Sequence, residues 1–314
     1  MNNPKRHISE FISERLLSDV GRFIQWMSKD VNIDEVEIGG KFTNLDSYNQ
    51  NMAKGLDDKM FFIEKLPFDK YSNWIFVDFG CADGVMENAL AIVLPKLGVT
   101  GKIIGYDISE SMINIAKSKF KDLSTPELEV VFTADWKDVS DMVVEDNDTK
   151  CVLICSSVIH EVYSYANGKE DINWFWKIVN QTGFDYVCVR DMMASKSIEH
   201  PTDEKILETF YEHVNKNKPE LLKYIKEYEE RWGSLKENKN FVHYLLKYRW
   251  TTNWTREANE NYFSIPIEEL LSKMRRFSIM HFEKFKVPFL ENCWKEDFGI
   301  KIKDNTHIKA IFVK

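Results

Sequence analysis

Short apolar runs and helically patterned segments alternate through the middle of the chain. Each run suits a buried strand, and the segments between the runs carry apolar residues at helical spacing. The runs are Trp74–Val77, Ile103–Ile108, Glu129–Ala134, Cys151–Ser157 and Phe184–Arg190. Strands that alternate with helices predict a parallel sheet with right-handed crossover connections.

Two further apolar patterns close the chain. A helix is predicted to begin within Ile265–Leu271, with Pro266 near its first turn. The segments Phe277–Phe289 and Thr306–Val313 then suit two closing strands.

Helical spacing also predicts elements outside the strand-rich region. Residues 8–30 and 44–66 are amphipathic. The charged stretch 195–262 is too long for a connection and too periodic for a linker. We therefore expect a helical insertion above the carboxyl ends of the strands, the edge at which open α/β sheets bind ligands.

Four regions follow from these patterns. We expect an N-terminal helical cap, a cofactor-binding core, a helical insertion that acts as a lid over the ligand pocket, and the C-terminal part of the core sheet. Their bounds are 1–70, 71–194, 195–262 and 263–314.

Composition limits the class of protein. Hydrophobic residues make up 44% of the 314 residues, enough for a packed core. No apolar run approaches the ~20 residues that span a bilayer, and residues 1–30 lack the apolar region of a signal peptide. The five cysteines form no Cys-x-x-Cys pair, so we expect no metal and a reduced, cytoplasmic protein. A net charge of −8 disfavours broad attraction to phosphates.

The loop after the first predicted strand carries the most specific signal. Asp78 ends the strand, Gly80 and Gly84 follow, and a helix begins at Val85. Glycines let the backbone approach a ligand closely, and the helix start offers free N–H donors. A carboxylate there would repel a pyrophosphate but suits a ligand with an amino group. A nicotinamide dinucleotide domain would instead place its acid after the second strand. The alternative without a ligand is that such acids only cap turns.

The pattern Asp-x-Gly-x-x-x-Gly and three later segments together resemble class I S-adenosylmethionine (SAM) dependent methyltransferases. The later segments are strand ends at Asp107, Asp135 and Ser156. The resemblance covers residues 72–192 well and 264–314 more weakly. Ala82 stands where many members have a second glycine. The resemblance implies an α/β, Rossmann-like seven-stranded sheet with helices on both faces and the last strand antiparallel.

The resemblance also implies a cofactor site for SAM and its product S-adenosylhomocysteine. Asp107 would hold the ribose hydroxyls, and Asp135 would accept a hydrogen bond from the adenine amino group. Tyr48 is a candidate for contact with the methionine end, with simple helix packing as the alternative. The complete set of implied cofactor contacts is Asp78, Gly80, Gly84, Asp107, Ile108, Asp135, Trp136, Ser156 and Tyr48.

The segment after the fourth strand offers groups for catalysis. His160 is the candidate base, because the pKa of a free imidazole lies near neutrality; a packing role is the alternative. Glu161 is a candidate for orienting His160 or binding a cationic acceptor. The candidate substrate contacts are Tyr163, Arg190, Tyr248 and Trp250, with a structural ion pair as the alternative for Arg190.

Three functions stay open at this point. The first is methyl transfer to an oxygen or nitrogen atom of a small molecule or peptide. The second is methylation of RNA or a nucleotide, because residues 241–262 interleave aromatic and basic side chains as single-stranded nucleic acid binders do. Burial of those aromatic side chains in the insertion is the competing interpretation. The third is a non-catalytic SAM-binding subunit of a partner.

Overall fold

The computed structural model describes residues 36–37, 40–41, 55–69, 71–143 and 148–314. Its central feature is one sheet of seven strands. These are β1 Asn73–Phe79, β2 Thr100–Tyr106, β3 Leu128–Thr133, β4 Thr149–Ser156, β5 Tyr186–Met192, β6 Ser278–Phe285 and β7 His307–Val313. Their order is β3-β2-β1-β4-β5-β7-β6. Strands β1 to β5 are parallel, and β7 is antiparallel to β5 and β6. The predicted fold class, with its antiparallel last strand, is confirmed.

Alternate side chains of β1 enter two different cores. Trp74 and Phe76 pack on one face of the sheet, and Ile75 and Val77 pack on the other. Because both faces are covered by helices, the central strands are near-continuous apolar runs. This is why the sequence pattern locates them.

Six helices follow or precede these strands as the alternating pattern predicts. They are α1 Leu56–Lys59, α2 Val85–Val93, α3 Glu110–Lys119, α4 Trp136–Met142, α5 Ile159–Tyr165 and α6 Lys169–Gln181. The side chain of Ser109 caps α3 by accepting a hydrogen bond from the backbone of Met112. Helix α2 packs on one face of the sheet, and α4 and α6 pack on the other.

The helical insertion has a core of its own. It contains α7 Glu204–Asn217, α8 Leu221–Trp232, α9 Asn238–Lys247 and α10 Trp254–Glu257. After it come α11 Ile267–Lys273 and, between β6 and β7, α12 Pro288–Phe298. Trp294 of α12 packs in the insertion core and donates a hydrogen bond from Nε1 to the Leu245 carbonyl at 3.0 Å. A second segment of chain therefore completes the insertion, which the predicted range 195–262 did not include.

Part of the predicted N-terminal cap is described. Helix α1 and a 3₁₀ turn at Phe61–Glu64 lie within the predicted helical region 44–66. Phe62 and Ile63 are buried against the sheet. The predicted helix over 8–30 and Tyr48 lie outside the described residues. A two-residue antiparallel pair joins Val36–Glu37 to Gly40–Lys41. Among the described helices, none has the length and apolar character to cross a membrane.

Candidate active site

A cavity of about 510 Å³ opens at the carboxyl ends of β1, β2 and β4. Strand β1 lies between β2 and β4, so the strand order reverses at this place. Such a switch point is where open α/β sheets bind ligands. The volume falls within the ~300–1,000 Å³ typical of small-molecule sites.

The loop between β1 and α2 forms one wall, and its backbone needs glycine. Gly80 and Gly84 have φ of 84° and 83°. A Cβ on Gly80 would lie 2.8 Å from Cγ2 of Val158, and one on Gly84 would lie 2.9 Å from the Phe132 ring. Ala82 has φ of 47°, also in the left-handed region. This conformation explains why the resembled family often has glycine at that position.

Asp107 stands at the end of β2 and ties two loops together. Its Oδ2 accepts a hydrogen bond from the Ala82 backbone, and its Oδ1 accepts one from the Ser109 backbone, each at 2.9 Å. Burial raises the pKa of Asp107, and the two N–H donors oppose that rise. Each oxygen retains a lone pair, and the side chain lines the cavity. The carboxylate is thus pre-positioned to accept from a pair of hydroxyl groups.

Asp78 is buried behind this wall and does not belong to the cavity lining. Burial raises the pKa of Asp78 to about 7, although the neighbouring Glu87 and the charge of Lys59 oppose the rise. Burial and the charge of Asp78 raise the pKa of Glu87 well above its usual range. Both carboxylate oxygens of Glu87 are buried without a hydrogen-bond partner among the described residues. Burial and the neighbouring Asp78 therefore favour the protonated form of Glu87 beneath the loop.

A buried ion pair holds the same loop from another side. Nζ of Lys119, on α3, lies 2.7 Å from Oδ2 of Asp83, and the two side chains are 5% and 4% exposed. The pair links the loop to α3, so the cavity wall is held by contacts from two neighbouring elements.

Strand β4 ends in two serines at the cavity. The hydroxyl of Ser156 is buried and has no hydrogen-bond partner among the described residues. Ser157 has φ of 57° and donates its backbone N–H to the Arg190 carbonyl at 2.7 Å. An unpartnered buried hydroxyl is costly unless a ligand satisfies it, so Ser156 marks a polar contact point in the wall.

Arg190, a predicted substrate contact, has a structural position instead. Its guanidinium donates to Oδ2 of Asp58 at 2.6 and 2.8 Å and to the Ser157 hydroxyl at 3.1 Å. Lys309 on β7 also binds Asp58, at 2.6 Å. Arg190 therefore ties α1 to the sheet, and it is not part of the cavity lining.

His160 is buried and turned toward β5. Its Nδ1 lies 2.7 Å from Oδ1 of Asp191, whose Oδ2 accepts a hydrogen bond from the Ile159 backbone at 2.7 Å. Burial alone would lower the pKa of His160, but the charge and hydrogen bond of Asp191 raise it above its ordinary value. His160 does not line the cavity. The predicted base is therefore paired with Asp191 and lies outside the cavity lining.

Glu161 is the member of the predicted catalytic pair that reaches the cavity. Its Oε1 lies 3.1 Å from Nη2 of Arg256, which belongs to α10 of the insertion. Burial and the nearby Glu260 raise the pKa of Glu161 to about 7, against the lowering effect of Arg256. The insertion thus reaches the cavity through Arg256, as a lid over the carboxyl ends of the strands would.

Three of the lining residues without a predicted role are large polar or aromatic side chains. Arg256 lies in the aromatic and basic stretch 241–262. Tyr165 lies at the end of α5, and Trp174 lies on α6 with 43% of its surface exposed. Nothing in the helical pattern distinguishes these side chains from packing residues.

Asp135 and Trp136 occupy the start of α4, beside the cavity. Asp135 is exposed and caps the helix by accepting the Lys137 N–H at 2.8 Å. It borders a neighbouring groove with Thr133 and Ala134. Trp136 packs edge-on against Tyr106, with ring centroids 5.1 Å apart. Ile108, in contrast, lines the cavity and is 66% exposed.

Three predicted substrate contacts are packing residues. The Tyr163 hydroxyl accepts a hydrogen bond from Nε1 of Trp176 at 2.9 Å. Tyr248 is buried in the insertion core, where its hydroxyl donates to Asp297 at 2.6 Å. Trp250 donates from Nε1 to the Leu246 carbonyl, one turn earlier. None of the three belongs to the cavity lining. Tyr163 packs on the core beneath the sheet, and Tyr248 packs in the core of the insertion.

The aromatic and basic stretch 241–262 is mostly interior. The side chains of Phe241, Tyr244 and Tyr248 are buried in the insertion core. Lys247 is also buried and donates from Nζ to the carbonyls of Glu257 and Glu260 at 2.6 and 2.7 Å. These rings are not available to stack with bases, which removes the sequence argument for RNA.

No cluster of side chains suited to a metal ion occurs in the ranges that the structure describes. All five cysteines are buried free thiols. Burial raises the pKa of the thiols of Cys81 and Cys155 well above the ordinary value. Such thiols are poor nucleophiles.

Comparison with known proteins finds matches among solved structures. No family model and no curated protein matches the chain. Three similar solved structures are SCL7 from Oryza sativa, the mycolic acid cyclopropane synthase CmaA1 complexed with SAH and CTAB, and the small RNA methyltransferase HEN1. Their identities are 10%, 13% and 12%, and their TM-scores are 0.40, 0.41 and 0.45. The matches cover 96%, 90% and 91% of this chain and 100%, 77% and 27% of those chains.

The strand order decides the fold more directly than these matches. A sheet ordered β3-β2-β1-β4-β5-β7-β6 with β7 antiparallel is the arrangement that the sequence resemblance implies. The fold is an α/β, Rossmann-like sheet of seven strands with helices on both faces and its last strand antiparallel. Because identities of 10% to 13% do not transfer an activity, function has to be argued from the cavity.

Proposed function

We propose that the chain is a SAM-dependent methyltransferase that acts on an oxygen or nitrogen atom of a small-molecule or peptide acceptor. The observation that carries the proposal is Asp107, fixed by two backbone N–H groups at the rim of a cavity at the sheet's switch point. A carboxylate held there suits the ribose diol of an adenosine.

The lining fits the remaining chemistry of SAM. In the part of the chain that the structure describes, the charged side chains at the cavity are Asp107, Glu161, Asp171 and Arg256. Their excess of negative charge suits a ligand with a sulfonium and an ammonium group. The unpartnered hydroxyl of Ser156 offers one more polar contact.

Residues that would contact the adenosine part of the cofactor can be named from this lining. Asp107 would hold the ribose, Ile108 would give apolar contact to the adenine, and Gly80 would allow the backbone to approach closely. Asp78, Gly84, Asp135 and Trp136 support the surrounding loops, and their direct contact with the cofactor stays a prediction. SAM, when bound, supplies a methyl group already activated by its positive sulfur.

The chain's own contribution is to position the acceptor and exclude water. Phe79, Trp174 and Phe175 give the cavity apolar walls, and a dry site strengthens every charge interaction inside it. Holding an acceptor atom in line with the methyl group converts a bimolecular reaction to an effectively unimolecular one. Glu161, which faces the insertion, lines the cavity and could take a proton.

An RNA acceptor is the second candidate, and the buried rings of Phe241, Tyr244 and Tyr248 give it no support. A non-catalytic SAM-binding subunit is the third. Both acids, Asp78 and Asp107, are present, and each interacts with neighbouring groups of the loop and sheet. This favours an active site over a decayed one.

Calorimetric titration of the purified chain tests the proposal. We expect micromolar binding of SAM and S-adenosylhomocysteine and none of NADH. Binding of short RNA with a clear salt dependence would favour the RNA alternative. No binding of either sulfur ligand would contradict the proposed function.

A further inference from the structure

One carboxylate at the insertion side of the cavity has a hydrogen-bond partner for only one of its two oxygens, among the described residues. Glu161 presents 32% of its side chain to the cavity. Its Oε1 lies 3.1 Å from Nη2 of Arg256, and its Oε2 accepts no hydrogen bond from the described residues. A carboxylate with one oxygen open to the cavity can accept a hydrogen bond from a ligand.

Arg256 does not cancel the charge of Glu161, because another acid already pairs with it. Nε of Arg256 lies 2.9 Å from Oε1 of Glu260, and both side chains are buried. Tyr165 fixes the same carboxylate by donating from its hydroxyl at 2.7 Å. Glu161, Arg256 and Glu260 together keep a net negative charge, and Glu161 is the member exposed to the cavity.

The other charged groups near Glu161 leave the net charge of this region negative. Asp107 and Asp171 add negative charge at the cavity wall. His160 is paired with Asp191 on the far side of α5. Lys59, on α1, is buried outside the lining, and its charge interacts with those of Asp78, Glu161 and Asp83. The open side of Glu161 therefore faces a space whose charge favours a cation.

The walls near Glu161 also suit a cation. Tyr165, Trp174 and Phe175 line the cavity, and aromatic faces attract ammonium groups. The buried hydroxyl of Ser156, without a partner among the described residues, is an independent sign that a polar ligand belongs here.

We propose that the acceptor is an aliphatic amine that binds as its ammonium ion with an N–H donated to Glu161. This inference rests on the proposed methyltransferase function and narrows its acceptor to nitrogen. Glu161 takes one proton from the ammonium, which frees the nitrogen lone pair. The nitrogen then forms a bond to the methyl carbon while the carbon–sulfur bond breaks and its electron pair stays on sulfur. The product leaves as the N-methylammonium ion, and Glu161 returns its proton to solvent.

The acidity of Glu161 suits this role. Burial and Glu260 raise the pKa of Glu161 to about 7, and a general base works best when its pKa lies near the working pH. His160 has no comparable access, because its ring is bound to Asp191 behind the wall.

Binding to the protein saturated with S-adenosylhomocysteine tests the inference without turnover. The probes are matched pairs: phenethylamine and 2-phenylethanol, butylamine and butanol, and a lysine-containing peptide and its norleucine twin. We expect the amine of at least one pair to bind about tenfold more tightly than its neutral partner near pH 7. Glu161→Gln, which keeps an oxygen for Arg256, should abolish that preference, and Glu170→Gln, on the exposed face of α6, should preserve it.

The outcomes distinguish a failure of the proposed methyltransferase function from a failure of the amine inference. If S-adenosylhomocysteine does not bind the wild-type chain, the proposed function itself fails. If it binds but no amine is preferred in any pair, or if Glu161→Gln keeps the preference, the amine inference is wrong.

A kinetic measurement gives a second readout. With an amine that binds and tritiated SAM, Glu161→Gln should lower kcat about 100-fold or more and remove the inflection near neutral pH from the kcat/KM profile. Glu161→Asp should recover part of kcat. A profile that keeps its inflection in Glu161→Gln would exclude Glu161 as the base.

Discussion

The carboxylate of Asp107 accepts a hydrogen bond from the backbone of Ala82, with Oδ2 and N 2.9 Å apart across 25 positions of chain. Ala82 adopts a left-handed conformation, with φ of 47°. The end of β2 and the loop after β1 are therefore held together before any ligand arrives. Pre-positioned acceptors and loops lower the entropy cost of binding.

The conformation of Ala82 predicts an unusual effect of glycine. A left-handed residue with a Cβ costs about 1–2 kcal/mol, and the greater freedom of glycine in the unfolded chain offsets about 0.5–1 kcal/mol of that. Ala82→Gly should leave the free energy of unfolding in urea equal or raise it by up to ~1 kcal/mol. Ala91→Gly, within α2, should lower it by ~1 kcal/mol. Equal losses in both variants would contradict the strained conformation.

The ion pair between Asp83 and Lys119 should be costly to break from one side. Lys119→Met leaves the Asp83 carboxylate buried without its cation, so we expect a loss of about 3–5 kcal/mol in the free energy of unfolding. Lys117→Met, on the exposed side of the same helix, should cost under ~0.5 kcal/mol. Adding Asp83→Asn to Lys119→Met should recover part of the loss. Additive effects of the two changes would show that the pair does not interact.

The buried carboxyl group of Glu87 predicts a pH dependence of stability. Because the pKa of Glu87 is raised by burial and by Asp78, the folded protein holds a proton that the unfolded chain releases above about pH 4.5. Its contribution to stability is complete at low pH and is lost as the pH rises through the folded value. The amide of Glu87→Gln can donate to Asp78 and does not ionise. From about pH 5 to about pH 9, the free energy of unfolding of this variant should therefore rise by about 1–3 kcal/mol relative to that of wild type.

A control separates this effect from a general loss of charge. Glu127→Gln, on an exposed turn, should show the same difference from wild type at both pH values. If Glu87→Gln behaves as Glu127→Gln does, the folded protein does not hold an extra proton on Glu87.

The position of His160 predicts a structural defect in its variant. His160→Ala removes the Nδ1 partner of the buried Asp191, so the free energy of unfolding should fall by about 1–3 kcal/mol. Because Asp191 raises the pKa of His160 above 6.5, the stabilisation is present at low pH and lost as the pH rises through the folded value. The deficit should therefore be larger near pH 6 than near pH 9. Unchanged unfolding at both pH values, together with abolished methyl transfer, would instead make His160 the base.

Much of the fold can be predicted from the sequence, because the residues that specify each strand and turn are close together in the chain. The central strands are apolar on both faces, and the acids follow them directly, as at Asp78 and Asp107. The positions of β6 and β7 were predicted from their patterns within a few residues, at Ser278–Phe285 and His307–Val313. The sequence pattern did not place α12, because that helix completes the insertion from the far end of the chain.

The candidate site was less accessible to sequence analysis. Tyr248 and Trp250 have the composition of a binding surface, yet the helices of the insertion turn them inward. Arg256 lies 95 positions after Glu161, and only the packing of α10 over α5 brings the two within 3.1 Å. His160 and Glu161 are neighbours in the chain, but successive helix residues point about 100° apart, so one faces the sheet and the other the cavity.

The most direct test of the account is the affinity of Asp107→Asn for S-adenosylhomocysteine, measured by calorimetry beside Asp122→Asn. Asp122 is an exposed carboxylate after α3 and controls for the loss of one negative charge. We predict that Asp107→Asn raises Kd at least tenfold, a loss of about 1.4 kcal/mol, while Asp122→Asn leaves Kd within about twofold of wild type. Equal affinities for the two variants would contradict the assignment of this cavity as the cofactor site.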